Sequence, residues 1–476
     1  MKEALLDAPK PVPHLTTFKK VLLLNPPGTQ NYIRDYYCSK TSKSDYSYTP
    51  VDFIYISAYL NGKCDLSSID CITEKISPDT LMQKLLHIKP DVIVALTGFV
   101  SWREDFALFK RIKAELPNAK LIGSGDILLG SNIKLLMESG SLDAILTDFS
   151  STDIVDYCLD PKEKYGSISY RDDQNHFIVK TGKAESSGAF SVGIPPHELF
   201  PLSKYEYAFV RQKPFATVLT DYSCPYACTF CIMSRLKYRF RSLDNIVEEL
   251  DYLKAKGIRE IYFADQTFGA NRKITKELLE KMIEKKYNFG WVCFTRVDVT
   301  SDEMLRLMKK AGCHTIIFGV EFGSNATLTT SKKNVSKLQI KNAVDLCRVH
   351  KIRSVGTFLL GESTQTVQDL EEVIAYSLEL SLDFASFNTY VPRVDDHLKD
   401  ATSLDDMPCY DQSGRTIKSF SPHITDDQLE FYHRQAVRKF YLRRNYLMRR
   451  LLSVRSPFEF QLLFREGMHL FSTMLN

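Results

Sequence analysis

No run of about 18 apolar residues, the length needed to cross a bilayer, occurs in this chain of 476 residues. Met1 to Lys20 has no apolar core of signal-peptide length. Eleven cysteines are present, but they show no disulfide framework. Neither sign of charge predominates, with 62 Lys and Arg against 58 Asp and Glu, and a net +4 is too small by itself to argue for nucleic acid. A membrane-spanning protein, a disulfide-stapled secreted domain and a charge-driven nucleic-acid binder are therefore set aside. What is present is an ordinary globular balance, 44% hydrophobic and 25% charged. The length suggests two or three domains. Cys64, Cys71, Cys158, Cys293, Cys313 and Cys347 lie in or beside apolar segments and read as core thiols. A reduced, cytoplasmic setting is expected.

The chemistry concentrates in Cys224-Pro225-Tyr226-Ala227-Cys228-Thr229-Phe230-Cys231, with spacing C-x3-C-x2-C. The apolar run Phe215 to Leu219 before it reads as a buried strand, which puts the cysteines on the loop leaving its carboxyl end. Thiolates are soft ligands and suit zinc or iron–sulfur clusters. A structural zinc wants four ligands, usually as two short Cys/His pairs. No fourth Cys or His lies nearby; the flanking candidates are His197 and Cys293. A cubane cluster can be held at three irons by one compact loop, leaving the fourth iron open to a small chelate.

The spacing, Phe230 before the last cysteine and the preceding strand together resemble the signature of the radical S-adenosylmethionine (radical SAM) family. That resemblance implies a 4Fe–4S cluster on Cys224, Cys228 and Cys231, with SAM chelated at the open iron. One electron, from a donor such as flavodoxin or ferredoxin, then cleaves SAM to a 5′-deoxyadenosyl radical. The rival reading of the same residues is a zinc loop or a non-catalytic iron–sulfur protein.

Ahead of this motif, residues 18–160 alternate strands and helices. Strands are expected at Val21–Leu24, Ile69–Thr73, Asp91–Thr97, Ala119–Ile122 and Asp143–Leu146. Helices are expected at Val51–Leu60, Thr80–Ile88, Glu104–Leu116, Asn132–Glu138 and Thr152–Cys158. The pattern is α/β and predicts a doubly wound five-stranded parallel sheet with its ligand at the carboxyl ends of the strands. Leu24-Asn25-Pro26-Pro27 and Ile122-Gly123-Ser124-Gly125 resemble the cobalamin-binding module of the B12-dependent radical SAM branch. The resemblance implies a corrin lying close to the backbone at Gly123 and Gly125. Asp-x-His-x-x-Gly, the cobalt-ligand motif of classical B12 modules, is absent, and Thr147-Asp148-Phe149-Ser150 replaces the usual acidic turn. A degenerate domain that only shapes the substrate pocket is the alternative. The long loop Thr29–Pro50, with five tyrosines plus Arg34, Lys40 and Lys43, is expected to lie against cofactor or substrate. Cys38 within it reads as a passive thiol.

Residues 161–214 read as a linker with a hairpin, Ser167–Arg171 and His176–Lys180, followed by a polar connector, Thr181 to Gly188. From 215 to 392 the alternation resumes. Strands at Ala216–Thr220, Glu260–Phe263, Trp291–Thr295, Thr315–Val320, Val355–Leu360 and Phe384–Thr389, with five helices between them, predict a partial (β/α)6 barrel. Thr300 and Glu303 are expected to form a capping box. By the resemblance, Asp265, Arg296 and Glu321 at strand ends contact SAM, as does Phe230. The alternative for each is a surface or barrel-end ion pair. Where the B12 branch often has Pro-x-Pro-Gly-Thr, this chain has Val391-Pro392-Arg393-Val394-Asp395, so its substrate pocket is expected to differ.

The tail, 393–476, is expected to be helical. Thr425 and Gln428 form a second capping box, and Leu429, Tyr432, Ala436 and Phe440 recur at helical spacing. Eight basic residues and no acid lie between Arg434 and Arg455. Docking of this helix on its own domain is expected, with peripheral membrane contact as the minor alternative. The combined resemblance implies a cobalamin-dependent radical SAM methyltransferase acting at an unactivated carbon of a small molecule, lipid-like or tetrapyrrole in character. The rival is radical ring formation, rearrangement or carbon–carbon coupling without methyl transfer.

Overall fold

Val21–Leu24 is apolar at every position, as a strand covered on both faces must be. It becomes β1 (Lys20–Asn25), at the centre of a sheet. The computed structural model describes residues 19–453, apart from 131–132, 160–163, 173, 175, 181–187, 394–402, 405–406, 408 and 416; of 449–453 only the backbone is described. The expected start of a helix at Asn132, the turn at Asp173 and Asn175, most of the connector Thr181–Gly188, Asp395 and the basic side chains from Arg449 on lie outside the described residues.

β1 pairs in parallel with β4 (Asp65–Asp70) on one side and β5 (Val92–Leu96) on the other. The sheet continues in parallel through β6 (Lys120–Ser124) and β7 (Ala144–Leu146). The strand order reverses at β1, which makes the carboxyl ends of β1 and β5 a switch point. Helices α2 (Cys71–Glu74), α3 (Pro78–Ile88), α4 (Trp102–Glu115), α5 (Ile133–Glu138) and α6 (Asp153–Leu159) connect them. The second expected strand is displaced. Ile69–Thr73 is the end of β4 followed by α2, because Asp70 caps the helix through Thr73 N. The hairpin expected in the linker, β8 (Ile168–Arg171) and β9 (Phe177–Ile178), instead extends this sheet antiparallel from β7, giving seven strands.

α1 (Val51–Leu60) is buried at all ten positions. It lies in one apolar core that runs from the sheet face (Val21, Leu23, Val94), through the loop tyrosines, to barrel residues Tyr262, Val292, Ile317, Val355 and Phe384. No amphipathic stripe is possible for a helix with apolar partners on every side. The loop 29–50 carries two short antiparallel strands, β2 (Tyr32–Ile33) and β3 (Lys40–Thr41).

The second half is an open six-stranded parallel barrel: β11 (Phe215–Val218), β14 (Glu260–Phe263), β15 (Gly290–Thr295), β16 (Cys313–Glu321), β17 (Arg353–Leu360) and β18 (Phe384–Thr389), paired in that order. Between them run α7 (Leu243–Ala255), α8 (Arg272–Glu284), α9 (Asp302–Lys310), α10 (Asn325–Thr330), α11 (Lys337–Val349) and α12 (Val367–Glu379). A small sheet of β10 (Gly188–Phe190), β12 (Asp221–Tyr222) and β13 (Arg239–Arg241) joins the two halves. The cap of α9 is Ser301, not Thr300: Ser301 Oγ accepts Met304 N, and the expected capping box with Glu303 is absent. One residue of slip costs the reciprocal bond, since Glu303 then stands at the second helical position rather than the third.

The capping box of Thr425 and Gln428 does form, opening α13 (Asp426–Tyr441), which is followed by α14 (Arg444–Ser453). α13 docks on α12 and β18, burying Leu429, Ala436 and Phe440 in the barrel's outer core. Tyr432 stays partly exposed and donates to Glu371. Among the described residues no helix is long and apolar enough to cross a membrane.

Candidate active site

β11 ends at Val218, and the chain turns through β12 to Ser223, a non-glycine residue at φ +67°. Two anchors hold that turn. Ser223 N donates to Tyr37 Oη at 3.0 Å, and Tyr222 sits in a ring cluster with Tyr36, Tyr37 and Phe149. The three-cysteine loop follows directly. Cys224 Sγ lies 3.3 Å from Thr267 Oγ1, and Arg296 Nη1 donates to Cys228 Sγ at 3.7 Å. Thr229 N donates to the Ser331 carbonyl and Cys231 N to the Cys228 carbonyl. Burial, then the neighbouring thiols, push the Cys231 thiol up to about 12, with only a backbone hydrogen bond opposing. Burial also raises Cys228, but there Lys333 and Arg296 pull the other way.

The fourth-ligand candidates are engaged elsewhere. His197 is buried against Glu249, with Nε2 to Oε1 at 2.8 Å, and Cys293 packs in the core between barrel and helices. Among the described residues no three His, Cys, Asp or Glu side chains gather round a single point. One zinc ion needs such a gathering. A cubane spreads its three thiolates over three corners, so the compact all-sulfur loop fits the cluster in donor chemistry.

The strand-end residues divide. Asp265 is fully buried and engaged: its carboxylate accepts Thr220 N at 2.6 Å, Thr220 Oγ1 at 2.7 Å and Asp221 N at 3.3 Å. Burial pushes Asp265 up to about 6, and burial plus Asp265 pushes Asp221 higher than its usual range. Asp265 therefore ties the end of β14 to the segment that delivers the cysteines, and none of its oxygens faces an open site. Arg296 is the cysteine loop's cation. It stacks on Tyr226 at 3.8 Å, pairs with Asp298 at 2.9 Å and donates to the Lys333 carbonyl at 2.7 Å. Glu321 stands at φ +69°, beyond a register shift between β16 and β17. That bulge re-aims the side chain, which is half-buried and 3.3 Å from Lys333 Nζ. Phe230 packs edge-on against Phe322 at 5.5 Å.

Gly123 and Gly125 do not form an open cradle. A Cβ on Gly123 would meet Leu142 and Leu128, and one on Gly125, at φ +144°, would meet the Thr97 carbonyl at 1.8 Å. Those glycines allow close packing within the domain itself. Loop 29–50 covers the strand ends. Arg34 is buried, paired with Asp105 at 2.7 Å, and donates to the carbonyls of Pro26 and Pro27. A cavity of about 20 Å³ beside it has room for about one water. What does suit a corrin is the polar character of the layer between the halves. Ser39 Oγ and Asp148 Oδ2 are buried there without partners, and such groups match the amide rim of a corrin.

Arg393 and Lys333 were given no role from the sequence, and Arg239 was noted only within the basic run Tyr238–Ser242, which resembles the segment leading into the first barrel helix of the radical SAM family. Arg393 bridges the halves, with Nε to Asp126 at 2.9 Å and Nη2 to the Ser39 carbonyl. Arg239 reaches Ser150. Lys333 meets Glu321. The signals in the sequence were that basic run and the place of Arg393 shortly after the last barrel strand, which ends at Thr389.

Residues 220–376 match the radical SAM superfamily. A protein of Pyrococcus horikoshii named uncharacterized methyltransferase PH0819 is 24% identical over 414 residues, spanning 84% of this chain and 89% of that one. The anaerobic magnesium-protoporphyrin IX monomethyl ester cyclase of Cereibacter sphaeroides is 25% identical over 73% of this chain; the chain spans 59% of its length. Among solved structures, the radical SAM methyltransferase TsrM of Kitasatospora setae, with cobalamin and a 4Fe–4S cluster bound, superposes with a TM-score of 0.62 at 15% identity. It covers 95% of this chain and 98% of its own.

Proposed function

We propose that this chain, whose residues 220–376 form a radical SAM domain, is a cobalamin-dependent radical SAM methyltransferase acting at an unactivated carbon of a small molecule. The observation that carries the reading is the placement of the three-cysteine loop at the mouth of an open barrel, roofed by the first domain through Tyr37 and Ser223. The names of the Pyrococcus and Kitasatospora proteins support methyl transfer, and the cyclase keeps a tetrapyrrole-like substrate in view.

Cys224, Cys228 and Cys231 would hold three irons of the cluster; Ser39 and Asp148 would meet a corrin. When bound, these groups with SAM supply a 5′-deoxyadenosyl radical and a transferable methyl group. The protein's own part is positional. Arg296 places a guanidinium on Cys228 Sγ and so favours the thiolate. Glu321 and Arg296 are the residues nearest in kind to a SAM amine and carboxylate. Loop 29–50 and the tyrosines behind it close the site to water, which protects a carbon radical from stray hydrogen donors. In this reading 18–160 is the corrin side, 161–214 the connector, 215–392 the radical core and 393–476 the C-terminal segment, whose α13 docks on the barrel. A small reduced electron carrier, flavodoxin or ferredoxin, supplies the electron, and the protein works in the cytoplasm, with the basic run from Arg434 to Arg455 as a candidate for membrane contact.

The test is anaerobic reconstitution with iron, sulfide, hydroxocobalamin, reductant and SAM. Formation of both 5′-deoxyadenosine and S-adenosylhomocysteine is expected. 5′-Deoxyadenosine alone would favour radical chemistry without methyl transfer, and neither product would remove the enzyme reading.

A further inference from the structure

β11 and β18 do not pair, so the barrel is open along one side. Loop 29–50 lies across that opening. At one edge Tyr37 holds Ser223; at the other Lys43 crosses onto β18. Lys43 Nζ donates to Asn388 Oδ1 at 2.9 Å, to Ser386 Oγ at 3.3 Å and to the Phe387 carbonyl. All three acceptors are neutral. Lys40, on the same loop, is near enough to act on Lys43 electrostatically. Neither lysine has an ion-pair partner among the described residues. The carboxylates in reach are already engaged by neutral donors. Asp411 accepts Thr41 N and Ser413, and Asp35 accepts Tyr37 N and Tyr48 Oη.

Both lysines keep part of their surface exposed, yet burial is the largest influence on each amine and brings Lys43 down to about 7. A side chain that is surrounded by protein but still accessible lines a chamber. Ser386, Asn388 and Thr357, on alternate positions of β18 and β17, are half-buried in the same way. Thr217 of β11 is fully buried with its hydroxyl unpartnered. The upper barrel is therefore polar, with two lysines on one wall that form no ion pair among the described residues; Asp35 and Asp411 act on them only from a distance.

We propose that this chamber is the substrate subsite for an anionic group, a carboxylate or phosphate, received by Lys43 and Lys40 on the β18 side. An enclosed ammonium gains from a counter-ion what water no longer gives it, and an arriving anion would draw the proton onto Lys43 beside the charged Lys40. An arriving anion also forms charge-assisted bonds stronger than the three neutral ones Lys43 now makes. What happens to the substrate rests on the radical SAM reading; the anion subsite does not.

The probe is pyridoxal 5′-phosphate, an aldehyde carrying a phosphate, added to the full-length, cluster-containing protein at neutral pH. Borohydride fixes the imine, and peptide mass mapping locates it. Lys43 should be labelled on the order of a hundredfold faster than surface lysines, because an amine lowered from 10.5 to about 7 is about half unprotonated at neutral pH, against well under a thousandth of an ordinary lysine. Phosphate-free pyridoxal should label it at least several-fold more slowly, Lys40→Met should narrow that gap, and inorganic pyrophosphate should protect. Equal labelling by the two aldehydes, or an unlabelled Lys43, overturns the proposal. Protection by SAM or hydroxocobalamin but not pyrophosphate assigns Lys43 to a cofactor site and also overturns it. Labelling needs no turnover, so a protein that fails to cleave SAM can still pass this test, and an active one can still fail it.

Discussion

The phenol oxygen of Tyr37 accepts the backbone N–H of Ser223 at 3.0 Å, one residue before the first cysteine of the three-cysteine loop. The first domain thus sets the conformation of the loop that the second domain uses. Both residues are buried, and Ser223 is at φ +67°, so water has little access to the amide if the phenol is lost. Tyr37→Phe keeps the ring packing and orphans the N–H, a loss of about 1–3 kcal/mol. Lower iron content after reconstitution and a reduced thermal midpoint are expected. Unchanged iron would mean the loop holds itself.

Each of Cys224→Ala, Cys228→Ala and Cys231→Ala should abolish SAM cleavage, measured as 5′-deoxyadenosine. Full cleavage in any one would remove that residue from the ligand set. Arg296→Met should shift the cluster's reduction potential downward, since it deletes the cation beside Cys228 Sγ. A redox titration followed by electron paramagnetic resonance reads this directly.

Arg34 and Asp105 form an ion pair with both side chains at 0% exposure. Arg34→Met leaves a buried carboxylate without its cation, held only by the Thr97 and Ser101 hydroxyls, and should cost about 3–5 kcal/mol. Adding Asp105→Asn should recover part of it. A double variant no more stable than Arg34→Met, in urea unfolding, would show that the arginine's bonds to the Pro26 and Pro27 carbonyls matter more than the charge pair.

His433 of α13 is buried, and burial followed by the Lys43 charge lowers it from 6.5 to about 4; the Phe387 carbonyl, which takes the proton of Nε2, opposes this, and Arg434 adds to the lowering. The folded value lies below the unfolded one, so the folded protein prefers the neutral ring. The contribution is fully present above about 6.5 and is lost as pH falls from there to about 4, by roughly 3 kcal/mol. His433→Gln should flatten the slope of unfolding free energy between those pH values. An unchanged slope would place the titration elsewhere.

The cysteine loop, the strand–helix alternation of both halves and the capping box at Thr425 were legible in the sequence because each is local. Spacing, apolar runs and cap residues act within a few positions of themselves. Local signals also misled at Thr300, where one residue of slip moved the cap to Ser301, and at Ile69–Thr73, where Asp70 turned an apolar stretch into a helix. Asp265 was placed correctly at its strand end, but whether its oxygens faced a ligand or Thr220 depended on a neighbour 45 positions away.

The sequence by itself determined that soft thiolates on a strand-end loop would sit beside a second α/β unit, because those features follow from residue type and period. Tertiary structure alone decided which side chains line the seam between the units. Lys43 on Asn388, Arg393 on Asp126 and Tyr37 on Ser223 join residues 345, 267 and 186 positions apart. No pattern along the chain encodes such distances; they arise only when both cores have formed and the apolar faces of α1 bring them together.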